Sequence, residues 1–205
     1  NQPAGRPITG TKEIINSITR KDILDYKKKH YAASNTVVTV AGNIDEELVF
    51  AKIEKVFKKI SQGKNGLKSP TTQEQKNPLI KILDKNTDQT HLALGVRSFN
   101  MFDERKYALG ILGVLLGGNS SSKLFSEIRE KLGLAYYISA SSEHFLDAGY
   151  LLTRAGIPHN SLKTVAKKIV KIMKNFREKQ IGPSELKFSK DFFRGSMALA
   201  LEASD

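Results

Sequence analysis

Apolar positions recur along this chain with two periods, one helical and one strand-like, and the changes of period mark out the elements. Thr19 followed by Asp22 forms a capping box, predicting a helix from Arg20 to about Tyr31 with Ile23, Leu24 and Tyr31 available for burial. Residues 36–41 (T-V-V-T-V-A) are β-branched and predict a buried strand. Gly42 and Asn43 turn the chain, and Asp45 caps a second helix. Its apolar positions Val49, Ile53, Val56, Phe57 and Ile60 keep helical spacing. Residues 61–78 lose all periodicity and carry glycines and prolines, the composition of a linker.

Beyond the linker, two short alternating runs, residues 79–83 and 91–96, predict strands. Asp103 caps a very apolar helix through Leu116, with Ala108, Leu109, Ile111, Leu112 and Leu115 expected inside; Gly117 and Gly118 end it. A shorter helix opens near Ser121 and stops at Gly133, with Leu124, Phe125, Ile128 and Leu132 on one side. Residues 136–142 and 150–155 predict a strand pair joined around residues 147–149. Asn160 or Ser161 opens a long helix with the stripe Leu162, Val165, Ala166, Ile169, Met173 and Phe176. Gly182 and Pro183 stop it, and Ser184 caps a last helix. The order after the linker is β-β-α-α-β-β-α-α. Adjacent strands imply antiparallel pairing with helices covering one side of the sheet, an α+β layered fold. The expected division is residues 1–60, a linker at 61–78, and a second domain at 79–205.

Composition adds limits. With 40% hydrophobic and 26% charged residues the chain has the balance of a globular protein. No run approaches the roughly 18 apolar residues of a membrane span. Cysteine is absent, which removes disulfides, thiolate ligands and a cysteine nucleophile, and agrees with a reducing compartment such as the cytoplasm. The start, N-Q-P-A-G-R-P, lacks a Met, and the end, A-L-A-L-E-A-S-D, stops inside a helical pattern; both read as cuts in a longer parent. The net charge of +12 points to acidic partners and keeps a basic nucleic-acid-binding module as a remote alternative.

Four places could carry chemistry. His30, His91, His144 and His159 are scattered, with no pair on one helix face and no H-x-x-E-H, so no zinc site is expected here. The run G-G-N-S-S-S-K (residues 117–123) resembles a phosphate cradle but lacks the second glycine before the lysine; it reads as a helix–helix turn capped by serine. Lys163, Lys167, Lys171 and Lys174 form a stripe without interleaved aromatics, the pattern of a solvated face rather than a phosphate track. Arg129 and Tyr136 remain. Spacing alone reads them as an exposed helix arginine and a strand tyrosine. The turn at Gly133 folds the seven-residue separation back, however, and a guanidinium fork with a phenol would suit a peptide carbonyl gaining negative charge.

Several ordered segments resemble one family. G-R-P-I-T-G-T (residues 5–11), S-I-T-R-K-D-I-L-D-Y-K-K-K-H-Y (17–31) and S-N-T-V-V-T-V-A-G-N-I-D (34–45) resemble the closing part of the first domain of insulinase/pitrilysin/mitochondrial processing peptidases. L-G-G-N-S-S-S-K-L-F-S-E-I-R-E-K-L-G-L-A-Y (116–136) resembles the best-known stretch of their second domain. The resemblance implies a processing-peptidase-like metallohydrolase fold in which two similar α+β domains face each other around a chamber. The first domain carries zinc through H-x-x-E-H. The second supplies an arginine and a tyrosine, seven residues apart, that hold the substrate backbone; these fall on Arg129 and Tyr136. On that footing the chain is the substrate-binding, non-metal-binding portion of a zinc endopeptidase acting on peptides or unfolded segments. Zinc belongs to the parent's missing N-terminal domain, and the fragment alone is expected to be inactive. The alternative within the family is a non-catalytic subunit or scaffold. Homo- or hetero-oligomers are both compatible with it.

Overall fold

The computed structural model describes residues 2–63 and 69–202 and divides the chain into two compact units, Asn1–Glu74 and Gln75–Asp205. Part of the expected linker, residues 64–68, lies outside the described residues.

The first unit is helical among its described residues. Helices α1 (Lys12–Ser17), α2 (Arg20–His30) and α3 (Glu46–Phe57) open on Thr11, Thr19 and Asp45, each accepting a hydrogen bond from a backbone N–H three residues on. At α2 the full capping box forms, with the Thr19 N–H donating to the Asp22 carboxylate at 2.8 Å. The chain after α3 returns to the α2–α3 connection, where Ala33 N–H donates to Ser61 O at 2.9 Å, and then to the N-terminal segment, where the Gln2 amide exchanges two bonds with the Thr72 backbone at 3.0 and 2.7 Å. The strand expected at residues 36–41 does not form, and Val37 is 91% exposed. β-branched residues favour strands by packing on a pleated surface beside a partner, and no described segment offers that partner here. Residues 79–83, in the second unit, fail as a strand for the same reason, with Leu79, Ile80, Ile82 and Leu83 exposed.

The second unit is an antiparallel three-stranded sheet with helices on one face. Its strands β1 (Thr90–Arg97), β2 (Tyr137–His144) and β3 (Gly149–Ile157) stand in the order β1-β3-β2. On β3, Leu151, Thr153, Ala155 and Ile157 are all buried, while Tyr150, Leu152 and Arg154 keep exposure on the opposite face. That period of two makes the sheet one-sided. The core set on the covered face joins Leu116, Leu124, Ile128 and Ile138 to Val165, Ile169 and Ile172. Each fully buried aliphatic side chain contributes about 1.5–3 kcal/mol.

The remaining helices are α4 (Arg105–Gly113), α5 (Leu162–Glu178) and α6 (Pro183–Glu202). Two stretches are π-helical: Val114–Gly118, which follows α4 and runs past the helix end expected at Leu116, and Phe125–Glu130, expected to be α-helical. In the second, Lys131 N–H donates to Ser126 O five residues back, at 3.0 Å. Gly117 leaves helical geometry inside the first (φ −160°, ψ 17°), and there the segment meets β2: a Cβ on Gly117 would lie 2.4 Å from Ala140 N. Other local expectations shift by a residue or a role. Ala108 is exposed where burial was expected, as is Leu162, whereas Ile172 enters the core. Asn119, not a serine, caps the turn at 117–123, accepting from Ser121 N–H at 2.9 Å. Helix α5 ends at Glu178, before Gly182; α6 opens on Pro183 itself, whose missing N–H costs nothing in the first turn, so Ser184 is not its cap.

The π-helical segment Phe125–Glu130 is clamped to α5 by Glu127, whose carboxylate accepts from Lys131 at 2.6 Å and Lys168 at 2.7 Å. Those two bonds, Lys131's first, lower its carboxyl from 4.5 to about 2. A depressed carboxyl contributes stability that is present above its unfolded value and lost as pH falls through the folded one.

Three substitutions have expected outcomes in urea unfolding. Gly117→Ala is expected to cost about 1–3 kcal/mol, because backbone atoms of Ser139 and Ala140 cannot move aside. Gly195→Ala, in α6 with nothing near its Cβ, should instead stabilise by about 0.5–1 kcal/mol; equal effects would contradict the close approach. Glu127→Gln should destabilise by about 0.2–1 kcal/mol at pH 6, a modest figure because solvent screens this half-exposed pair. The gap to wild type should shrink as pH falls from 4.5 towards 2; a gap that widens in acid would reject the clamp.

Candidate functional site

The sequence around Gly133 builds a chain reversal from local rules. Gly133 takes φ +62°, a conformation that favours glycine. Its N–H donates to Arg129 O at 3.2 Å, and Leu134 N–H donates to Ile128 O at 3.0 Å. The first bond, from a glycine in the left-handed conformation to the carbonyl four residues back, is that of an αL helix cap, and the second closes a wider turn around it. Leu134 packs against the core that contains Ile128. Ala135 is buried, and Tyr136 N–H donates to Gly156 O at 2.8 Å, docking the chain on β3 just before β2 begins.

Arg129 and Tyr136 therefore flank one turn whose backbone is held by hydrogen bonds from Gly133, Leu134 and Tyr136, while both side chains remain in solvent. Tyr136 is 57% exposed. The Arg129 guanidinium lies 4.8 Å from the centre of the Phe125 ring. Among the described residues, neither side chain makes a hydrogen bond or ion pair with any other group, and none joins the two. The arginine's five N–H donors and the phenol are thus free to engage an incoming acceptor.

The histidines all have structural partners. His159 accepts from the Thr90 hydroxyl at 2.8 Å and donates through Nε2 to Thr87 O at 3.0 Å. His144 donates to Phe99 O at 2.8 Å and lies 3.2 Å from the Ser142 hydroxyl. His30 lies against Tyr26, with ring centres 4.3 Å apart. His91 meets the Tyr137 hydroxyl at 3.0 Å across the middle strand. Among the described residues no three His, Cys, Asp or Glu side chains converge as metal ligands. The donor set of the described residues does not fit zinc. The lysines 163, 167, 171 and 174 are exposed, as a solvated stripe predicts.

The His91–Tyr137 pair escaped the sequence reading. Both residues stand opposite Gly156 on β3, and the rings close over the position where that residue has no side chain; a Cβ there would lie 2.4 Å from the Tyr137 ring. A glycine inside a strand is the signal that marks such a place. Lys168 was also missed: it stands next to the lysine stripe but turns inward to Glu127.

Comparison with known proteins gives this geometry a context. Residues 17–192 match the family described as Peptidase M16 inactive domain. An uncharacterized zinc protease of Rickettsia bellii is 32% identical over 98% of this chain, and the uncharacterized zinc protease YmxG of Bacillus subtilis is 32% identical over 100% of it. The chain spans only 48% and 49% of those two proteins, about half their length. Among solved structures, a Helicobacter pylori protease superposes with TM-score 0.80 at 24% identity, covering 95% of this chain and 48% of that one. The peptidase M16 inactive domain from Pseudomonas fluorescens superposes with TM-score 0.76 at 22% identity, covering 92% of this chain and 46% of that one. These likenesses speak for the fold. Among the described residues no helix is long and apolar enough to cross a membrane. With a family match across 17–192 and relatives of 32% identity along nearly its whole length, the chain belongs to the M16 peptidase family, in the part that family calls its inactive domain.

Proposed function

We propose that this chain is the substrate-holding portion of a zinc-dependent endopeptidase, with Arg129 and Tyr136 as the residues that grip the backbone of an extended polypeptide. The observation that carries the reading is the αL-capped turn at Gly133. It leaves a guanidinium and a phenol exposed and unpaired on either side of a backbone held by Ile128, Arg129 and Gly156. Charged N–H donors and a neutral O–H donor suit a carbonyl oxygen that becomes more negative as its peptide bond is attacked. Their role is positioning and charge stabilisation, a contribution worth several kcal/mol of barrier when the donors are pre-organised.

The zinc named in the relatives' descriptions would be held by the half of the protein that this chain does not match. Residues 1–60 would then complete a first domain with that half. Two observations support this: the relatives are about twice as long, and the unit Asn1–Glu74 keeps Ile8, Val37, Val40 and Phe50 exposed. Large apolar residues left out in such numbers suit a surface that another domain covers.

In the full-length protein, Arg129→Ala or Tyr136→Phe is expected to lower kcat/KM on an unfolded polypeptide substrate by roughly ten- to a thousand-fold. The cost should fall mainly on kcat where the contact strengthens in the transition state. Unchanged kinetics in both variants would remove them from the site and favour a non-catalytic subunit or scaffold. The chain purified alone should cleave no casein, with or without added zinc; cleavage abolished by a chelator would overturn the division of labour.

A further inference from the structure

A cleft of about 350 Å³ opens where the end of α5 runs past the start of α6 and the π-helical segment. Its floor is apolar: Ile172 belongs to the core, and Phe176 and Ile181 are half-buried. Four lysines and two glutamates line it, a surplus of two positive charges. The glutamates are already engaged, Glu127 with Lys168 at 2.7 Å and Glu185 with Lys123 at 3.1 Å. Lys171 and Lys179 are exposed and make no ion pair among the described residues. With Asn175 between them they fall at intervals of four along α5 and the capping residue just after it, so all three stand along one edge.

We propose that this cleft docks an acidic polypeptide segment carrying an apolar anchor residue. The apolar floor, Ile172 and Phe176 with Ile181, takes the anchor. The unpaired cations Lys171 and Lys179 take carboxylates on either side of it, and the Asn175 amide between them is set to bond the backbone. Spacing selects a polypeptide over a small dianion. Eight residues of helix put the two lysines about 12 Å apart, and an extended chain covers that in about four residues at 3.3 Å each. A volume near 350 Å³ suits one or two inserted side chains. The apolar floor would be left uncovered by a phosphate backbone, whereas an anchor side chain removes it from water. None of these groups is Arg129 or Tyr136, so the inference stands or falls apart from the function proposed above.

The test is fluorescence anisotropy with the full chain and a fluorescein-labelled heptapeptide, Ser-Asp-Ser-Phe-Ser-Asp-Ser, at low ionic strength. Two double variants change the net charge equally: Lys171→Glu with Lys179→Glu in the cleft, and Lys163→Glu with Lys167→Glu on the exposed face outside it. The first should weaken binding by about tenfold or more and the second by less than about twofold. Replacing the peptide's Phe by Ser should cost about tenfold as well. The pair Lys171→Gln with Lys179→Gln repeats the measurement if charge reversal perturbs folding in a thermal melt. Equal losses in the two double variants, no binding by the wild type, or equal binding of the Phe-less peptide would each overturn the proposal. So would tighter binding of a single-stranded oligonucleotide that the cleft variant alone abolishes.

Discussion

The buried face of strand β3 is the constraint on which the second unit depends. Leu151, Thr153, Ala155 and Ile157 point the same way because a strand alternates, and the strand is central, paired with β1 and with β2. With three strands bound edge to edge and one face apolar, the sheet must be covered on that face. Leu116, Leu124, Ile128, Val165 and Ile169 supply the cover, drawn from helical segments on both sides of the strand pair in sequence. Removing this face from water is what fixes where the π-helical segments run, and through them where Arg129 lies.

Close approach at glycines sets the fine geometry. Gly117 brings the turn after α4 against the backbone of β2, and Gly156 leaves space over which His91 and Tyr137 join the two outer strands. Gly133 does something different: it reverses the chain so that the Ile128 and Arg129 carbonyls are bonded and Tyr136 is delivered to β3. A rigid backbone carrying free side chains is the arrangement that lets donors be pre-organised without first breaking internal bonds. The Glu127 clamp adds to that rigidity by tying the same segment to α5.

The two units differ in how much of their own apolar surface they bury. In the second, a contiguous core forms from residues of the strands, α5 and the π-helical turns. In the first, Ala32 is the buried hydrophobic residue among those described, and many larger ones face solvent. A segment such as 36–41 has the composition of a strand, but a strand is a relation between two chains of peptide groups, and composition supplies only one of them.

The amino-acid sequence by itself determined the features whose physics is local. The capping box at Thr19 and Asp22, the cap at Asp45, the stop at Gly133 and the alternation of β2 and β3 each depend on neighbours within a few residues, and all were legible. Arg129 and Tyr136 could be singled out from the motif they sit in; the structure added that both stay exposed around one αL-capped turn. Tertiary structure alone decided the rest. Whether a helical turn widens to π geometry, whether Lys168 turns to Glu127 or to water, whether Ala108 is covered, and whether residues 36–41 find a partner all depend on groups far along the chain. Periodicity tells which positions want burial, but only the packed neighbours decide which of them obtain it.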